Sequence, residues 1–196
     1  MEPTDAYHHG DLRTACIAAG VRLVAQGGVE AVTIRGVARS AHVSHTAPLH
    51  HFRDRDELLG AVAQAGFDGL IARAAEVTRD ATDPVDRVRR YAHAYLRGAI
   101  DDPGMFRLMF GAAACDVGYE AYALLHERAA SSALGGRDPD GAALMIWAEV
   151  HGLASLYAEG KLRHELDGLG PADIPPRASK ALDRLLALLS TTGDLQ

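Results

Sequence analysis

Residues 42–59, HVSHTAPLHHFRDRDELL, combine four histidines with serine, threonine and two arginines in one short stretch. These side chains carry many hydrogen-bond donors and acceptors, and few apolar residues accompany them. Short polar side chains of this kind can bond to base edges and phosphate oxygens in the major groove of DNA. The stretch therefore predicts a nucleic-acid-binding surface.

The same histidines could instead bind a metal ion. They are not paired at i and i+4, however, and no cysteine or tight carboxylate cluster accompanies them. Nor does the chain offer a nucleophile paired with a base, or a phosphate-binding loop. We therefore predict no metal site, no cofactor and no catalytic residue, in a protein that is not an enzyme.

The net charge of the 196-residue chain is −6, which alone would argue against a nucleic-acid partner. The charge is unevenly placed, because six arginines balance six carboxylates in residues 1–56 and the remainder carries the whole deficit. An N-terminal part without net negative charge can approach phosphates, whereas the rest of the chain repels them.

Helical periodicity runs along almost the whole chain, and strand patterns are nearly absent. The fold class is therefore predicted to be all-α. A helix beginning near residue 11 should end at Gly27 and Gly28. A long amphipathic helix should begin at Asp54, with Glu57 completing a variant capping box. Residues 161–176 are rich in glycine and proline and are predicted to form a loop.

Two short helices are predicted between these, separated by a break at His42 and Val43. Thr33 should be the N-cap of the first and Ser44 the N-cap of the second. A helix, a short break and a brief polar helix have the spacing of a helix-turn-helix unit. The polar residues after Ser44 would then lie on its outer face.

The predicted helix-turn-helix segment resembles that of a known protein family. Residues 32–59, VTIRGVARSAHVSHTAPLHHFRDRDELL, are similar to the DNA-binding module of the tetracycline-repressor (TetR) family of bacterial regulators. The residues that match the family pattern are Thr33, Val37, Ala38, Val43, Ser44, His51, Phe52, Arg55, Leu58 and Leu59. The sequence WAEVHG also resembles a W-x-x-x-H-G motif of one subgroup, through Trp147, His151 and Gly152.

The resemblance implies a three-helix, helix-turn-helix DNA-binding domain over residues 1–56 and a helical ligand-binding and dimerisation domain over residues 57–196. It implies a ligand-responsive transcriptional regulator, most often a repressor, that binds a pseudo-palindromic operator as a homodimer. The positions that usually face bases are Arg35, His45, Thr46 and Leu49. Those that usually face phosphates are Thr33, Ser44, His50, His51 and Arg55; His51 is equally suited to a structural role.

Two residues depart from the family pattern. His42 stands where a glycine is usual, and if that position needs a positive φ, histidine costs about 1 kcal/mol relative to glycine. Leu49 stands where an aromatic residue, often tyrosine, is usual. That change removes a hydroxyl contact to DNA and supplies an apolar group for a thymine methyl.

The C-terminal half contains aromatic and methionine side chains that suit the wall of a small-molecule pocket. The predicted ligand-binding residues are Tyr95, Met105, Phe106, Met109, Phe110, Tyr122, Trp147 and His151. Core packing is the alternative for all of them. One face of the last helix carries four leucines, Leu182, Leu185, Leu186 and Leu189. The preceding helix has a face of small residues, Ala148, Gly152 and Ser155. Both faces suit a homodimer that forms through the last two helices, and intramolecular packing is the alternative.

Other functions remain open on the sequence alone. A helical small-molecule-binding protein or enzyme with a vestigial DNA-binding module would share these features, and so would a protein–protein adaptor.

Cys16 and Cys115 lie far apart in apolar runs and are predicted to be free thiols. The N-terminus does not resemble a signal peptide and no apolar run reaches 18 residues. A cytoplasmic protein is therefore expected.

Overall fold

The computed structural model describes residues 9–112, 118–132, 134, 136, 138–162 and 176–192. They form eight α-helices, and no strand occurs among them, which confirms the all-α prediction. The helices are α1 (His9–Gly27), α2 (Ile34–Ser40), α3 (Arg55–Thr78), α4 (Pro84–Asp101), α5 (Pro103–Met109), α6 (Tyr119–Ala130), α7 (Pro139–Ala158) and α8 (Pro176–Thr192). Cys115 and most of the predicted 161–176 loop lie outside the described residues, whereas Cys16 is a buried free thiol.

The ends of the first helices follow the predicted capping residues. Gly28 has φ 70° and its N–H donates to the carbonyl of Val24, which ends α1. The Thr33 hydroxyl accepts the Gly36 N–H at 2.9 Å and caps α2. The backbone of Gly28 and the side chain of Thr33 therefore set these two boundaries as the sequence predicts.

The start of α3 is capped by two neighbouring carboxylates. The Asp54 carboxylate accepts the Glu57 N–H at 2.8 Å. Glu57 in turn accepts the N–H of Arg53 at 2.9 Å, one residue earlier than a standard capping box would have it. The capping-box variant is confirmed.

Helix α3 runs unbroken for 24 residues and crosses the position between residues 56 and 57. Its first turns pack closely against α1. A Cβ on Gly20 would lie 2.4 Å from Cγ2 of Val62, so only glycine permits this approach. Leu58 and Leu59 are buried in the same region. The helix thus belongs both to the N-terminal helices and to those that follow.

In the C-terminal half, α4 packs against α7, α6 lies beside α7, and α8 packs on both α4 and α7. Leu182 and Leu186 of α8 are buried in this core, Leu189 nearly so, and Leu185 is half-buried. The leucine stripe predicted as a dimer face is therefore mostly occupied by intramolecular packing, the alternative interpretation of that pattern. No helix in the described ranges combines the length and the apolar character needed to cross a membrane.

Candidate functional site

A sharp corner follows α2, as the helix-turn-helix spacing predicts. His42 has φ 57°, the only positive φ of a non-glycine residue in the described chain. Beyond it, the Val43 N–H donates to the carbonyl of Ala38 at 3.0 Å and folds the chain back on α2. The chain accepts a strained histidine here, at a cost of about 1 kcal/mol relative to glycine.

The element after the corner is shorter than the sequence predicts. It is a single-turn 3₁₀-helix, Ala47–His50, rather than an α-helix capped by Ser44. The Ser44 carbonyl accepts the Ala47 N–H, while its hydroxyl lies 3.5 Å from that of Thr46 and caps no backbone N–H of this helix. The N-cap prediction for Ser44 is therefore wrong. The cause is Pro48, which disfavours α conformation at Ala47 and supplies no N–H for a longer helix.

This short helix still presents a polar surface to solvent. The exposed side chains, called here the polar face, are Ser44, His45, Thr46, Leu49 and His50. Beneath them Pro48 and Phe52 are buried and hold the segment on the domain. Leu49 is 51% exposed although it is apolar and large, so the fold does not use it for packing.

The other predicted contact residues border the polar face. Arg35 is exposed on α2, and Thr33 is exposed while its hydroxyl caps that helix. His51 is half-buried, unlike its neighbour His50. The fold thus gathers the predicted N-terminal residues around one corner and exposes most of their side chains.

Arg55 is held more firmly than the sequence suggests. Its Nε donates to the carbonyl of Val32 at 2.7 Å and its Nη2 to that of Val29 at 2.9 Å. Glu30 lies 3.7 Å from the same guanidinium. The side chain therefore anchors the start of α3 to the segment before α2, and Nη1 forms none of these bonds.

The C-terminal half forms an open cavity of about 640 Å³ between α3, α4, α5, α6 and α7. Five of the predicted ligand-binding residues line it: Tyr95, Met109, Phe110, Tyr122 and Trp147. Met105 and Phe106 instead line a second cavity of about 280 Å³ beside α1 and α3, which Tyr95 and Met109 also border. The predicted set is therefore divided between two adjoining spaces.

His151 lies behind the cavity wall. The Tyr95 hydroxyl is 2.7 Å from His151 Nδ1, and Ser155 Oγ is 3.3 Å from His151 Nε2. Burial raises the pKa of Tyr95 and lowers the pKa of His151, so both side chains are neutral at pH 7. His151 therefore forms hydrogen bonds through both ring nitrogens, to Tyr95 and to Ser155. Trp147, with its ring centroid 5.5 Å from that of His151, completes this wall.

Sequence reasoning missed part of the cavity. Phe67, Tyr91 and Tyr119 also line it. The position of Tyr91, four residues before Tyr95 on α4, was a usable indication that both face one space. Phe67 had no such indication, because its contact is with a distant loop. Its ring lies against Gly118, where φ is 86° and a Cβ would come within 2.3 Å of the ring.

Both halves of the chain match family models. Residues 17–62 match the model described as bacterial regulatory proteins of the tetR family. Residues 88–189 match the model described as a tetracyclin repressor-like C-terminal domain. None of the curated proteins compared with the chain matches it.

Solved structures extend this likeness over nearly the whole chain. A protein of unknown function from Rhodococcus sp. RHA1 is 30% identical, with a TM-score of 0.75 over 95% of this chain and 100% of that one. The TetR regulator SCO7222 from Streptomyces coelicolor is 18% identical, with a TM-score of 0.72 over 91% and 97%. A single-substitution variant of TetR from Acinetobacter baumannii AYE, solved in complex with minocycline, is 19% identical, with a TM-score of 0.67 over 93% and 98%.

Proposed function

Because the chain belongs to the tetR family of bacterial regulatory proteins, and is thus a ligand-responsive transcriptional regulator, we propose that it acts as a homodimeric repressor. In this proposal the polar face binds operator DNA, and a small molecule in the 640 Å³ cavity releases it. The observation that carries the proposal is the exposure of the polar face beyond the corner at His42.

The proposed DNA contacts divide by chemistry. Arg35, His45, Thr46 and Leu49 would face base edges, while Thr33, Ser44, His50, His51 and Arg55 would face phosphates. Exposure of the polar face supports this assignment, since base readout requires side chains free of core packing. We keep residues 1–56 as the DNA-binding part and residues 57–196 as the ligand-binding part, although α3 joins them without a break.

The effector is proposed to be an uncharged, largely aromatic molecule. The described residues that line the cavity include Phe67, Tyr91 and Trp147, and none of them carries a charged side chain. A charged ligand would lose its hydration there without an ion-pair partner. The tyrosine hydroxyl groups supply polar contacts that a neutral ligand can match.

Trp147 gives a direct test of the effector class, because it is the only tryptophan in the chain and lines the cavity. Pairs of ring compounds that differ only in a carboxylate would be titrated while tryptophan fluorescence is followed. We expect the neutral member of each pair to change the fluorescence saturably and to weaken DNA binding. Equal or tighter binding of the carboxylates would contradict the effector class.

The dimer is proposed to form through the outer faces of α7 and α8. Leu144 of α7 and Leu188 of α8 are 54% and 64% exposed, and Met145 and Leu156 of α7 are also exposed. A Cβ added to Gly152 would meet no described atom within 4 Å, so a second helix can approach closely there. Exposed large apolar side chains beside a small residue suit a two-fold interface.

Sedimentation measurements test this interface. Leu188→Glu should convert the dimer to a monomer, since it would bury a carboxylate at the two-fold contact. Val77→Glu is the matched control, because Val77 is an exposed apolar residue of α3 outside the proposed interface. A Leu188→Glu protein that stays dimeric would place the interface elsewhere.

Selection of bound duplexes from a random DNA library tests the function itself. We expect enrichment of a pseudo-palindrome whose half-sites are spaced by about one helical turn of DNA, or a multiple of it. Thr46→Ala should relax the preference at one symmetric pair of positions. If no sequence were enriched, the repressor proposal would fail and the adaptor alternative would gain support.

A further inference from the structure

A second concave site lies where the end of α3, the start of α4 and α6 meet. This cleft has a volume of about 330 Å³. The described residues that line it include three arginines, Arg79, Arg87 and Arg128, and one carboxylate, Glu127. The residues after position 56 carry the whole negative charge of the chain, so a net positive cleft there departs from the surrounding composition.

Two of these arginines are fixed in place by neutral acceptors. Nη2 of Arg87 donates to the carbonyl of Ala81 at 2.8 Å. Nη1 of Arg128 donates to the hydroxyl of Thr78 at 2.9 Å. Thr78 is itself buried, and its hydroxyl donates to the carbonyl of Ala74 at 2.7 Å. The Arg128 guanidinium also lies over the ring of Tyr91, 5.2 Å from its centroid.

The cleft arginines differ from their neighbours on the same helix. Arg90 forms an ion pair with Asp86 at 2.7 Å, as is usual for a helix-surface arginine. Among the ion pairs formed by the described residues, none involves Arg79, Arg87 or Arg128. Burial and the neighbouring charge of Arg87 both lower the pKa of Arg128. Glu127 offsets part of this repulsion, but one carboxylate does not balance three arginines, so an anion bound between them would be favourable.

We propose that this cleft binds the phosphate group of a small anionic molecule. Guanidinium groups fixed from behind keep their remaining N–H groups for a tetrahedral oxyanion, to which they can donate in pairs. Arg79, which is exposed, can close over the bound group. The volume of about 330 Å³ holds a phosphate with a small organic substituent.

The cleft is distinct from both sites of the proposed function. It lies at the end of α3 opposite to Arg55, and 23 helical steps separate the ends by about 35 Å. DNA phosphates on the polar face therefore do not reach it. The cleft and the aromatic cavity share none of their described lining residues.

An anion bound here would restrain α6 against α3 and α4. Ala121, Tyr122 and Leu125 of α6 line the aromatic cavity, and Glu127, Arg128 and the adjoining Ser131 line the cleft. The two ligands would therefore share one helix, and occupation of the cleft would alter the free energy of effector binding.

Calorimetric titration of the full-length protein with inorganic phosphate tests the site, with chloride at matched ionic strength as the reference. We expect saturable phosphate binding. The dissociation constant should rise at least about tenfold in Arg87→Gln and in Arg128→Gln, since each removes a charged donor. Arg90→Gln is the matched control on α4 and should bind as the wild type does.

Two results would overturn the proposal: no saturable phosphate binding by the wild-type protein, or equal binding by all four proteins. Arg128→Gln also removes the bond to Thr78, so Arg79→Gln provides a second variant that leaves this bond intact. DNA selection by the same proteins keeps the two questions separate, because failure of the cleft leaves operator binding unchanged.

Discussion

Substitution of Arg55 by alanine separates two roles of this residue, one in the fold and one in DNA binding. The change removes the bonds from Nε and Nη2 to the carbonyls of Val32 and Val29. It also removes Nη1, the part of the guanidinium that could reach a phosphate. The first loss should reduce stability, and the second should reduce the number of ionic contacts with DNA.

The magnitudes follow from the geometry. A hydrogen bond from a charged donor contributes about 1.5–3 kcal/mol. The Arg55 side chain is 36% exposed, so water competes for both bonds, and we expect a combined loss of about 2 kcal/mol. For a domain of this size the midpoint of thermal unfolding should fall by about 4–8 °C. Loss of one phosphate contact from each protomer should reduce the slope of log K against log salt by about 2 per dimer.

The assay is fluorescence anisotropy with operator DNA over a salt series, well below the unfolding midpoint. Arg55→Lys should keep the salt slope, because the charge remains, while losing much of the stability that the guanidinium bonds provide. Arg90→Ala, on α4, should leave the slope unchanged. A folded Arg55→Ala protein with the wild-type slope would refute the phosphate contact. An unchanged unfolding midpoint would refute the anchoring role.

Three further outcomes are expected. Tyr95→Phe removes the hydrogen-bond partner of His151 Nδ1 and should cost about 1–3 kcal/mol in chemical denaturation; no measurable loss would show that this bond is unimportant. His42→Gly should raise stability by about 1 kcal/mol, because φ is 57° there, and a loss would mean that the imidazole makes compensating contacts. Burial lowers the pKa values of His151 and His93 in the folded protein. Below about pH 6.5 the unfolded chain therefore binds more protons at these histidines than the folded protein does, and the free energy of unfolding should decrease as the pH falls through that region. His151→Gln should lose less stability over the same pH range, and an equal loss would assign the effect to other groups.

Sequence reasoning succeeded where the cause is local. Thr33 and Asp54 cap the helices that they were expected to cap, because a side-chain oxygen needs only an N–H three residues on. It failed at Ser44, where the proline four residues later favours a 3₁₀ turn over an α-helix. The cause of that difference is also local, because Pro48 disfavours the α conformation of the residue before it.

The remaining differences arise from contacts between distant segments. The family resemblance places Arg55 among the phosphate-facing residues, and the sequence gives no indication that its guanidinium also bonds to the carbonyls of Val29 and Val32, more than 20 residues away. Similarly, Phe67 enters the cavity because Gly118 lets its ring approach. Neither the direction of a long side chain nor such a pairing is encoded in the periodicity of a single helix. The helices were therefore predictable from the sequence, whereas the full set of side chains that line the cavity was not.

Because α3 is unbroken across the junction of the two parts, it affects how the protein responds to proteolysis. A protease that cleaves between two domains normally attacks an exposed linker, but here residues 56 and 57 are in the first turn of a helix whose next leucines, Leu58 and Leu59, are buried. Limited digestion should therefore spare this junction. The N-terminal segment, once released by any means, would lose the apolar support of α3 and should not hold its shape in isolation.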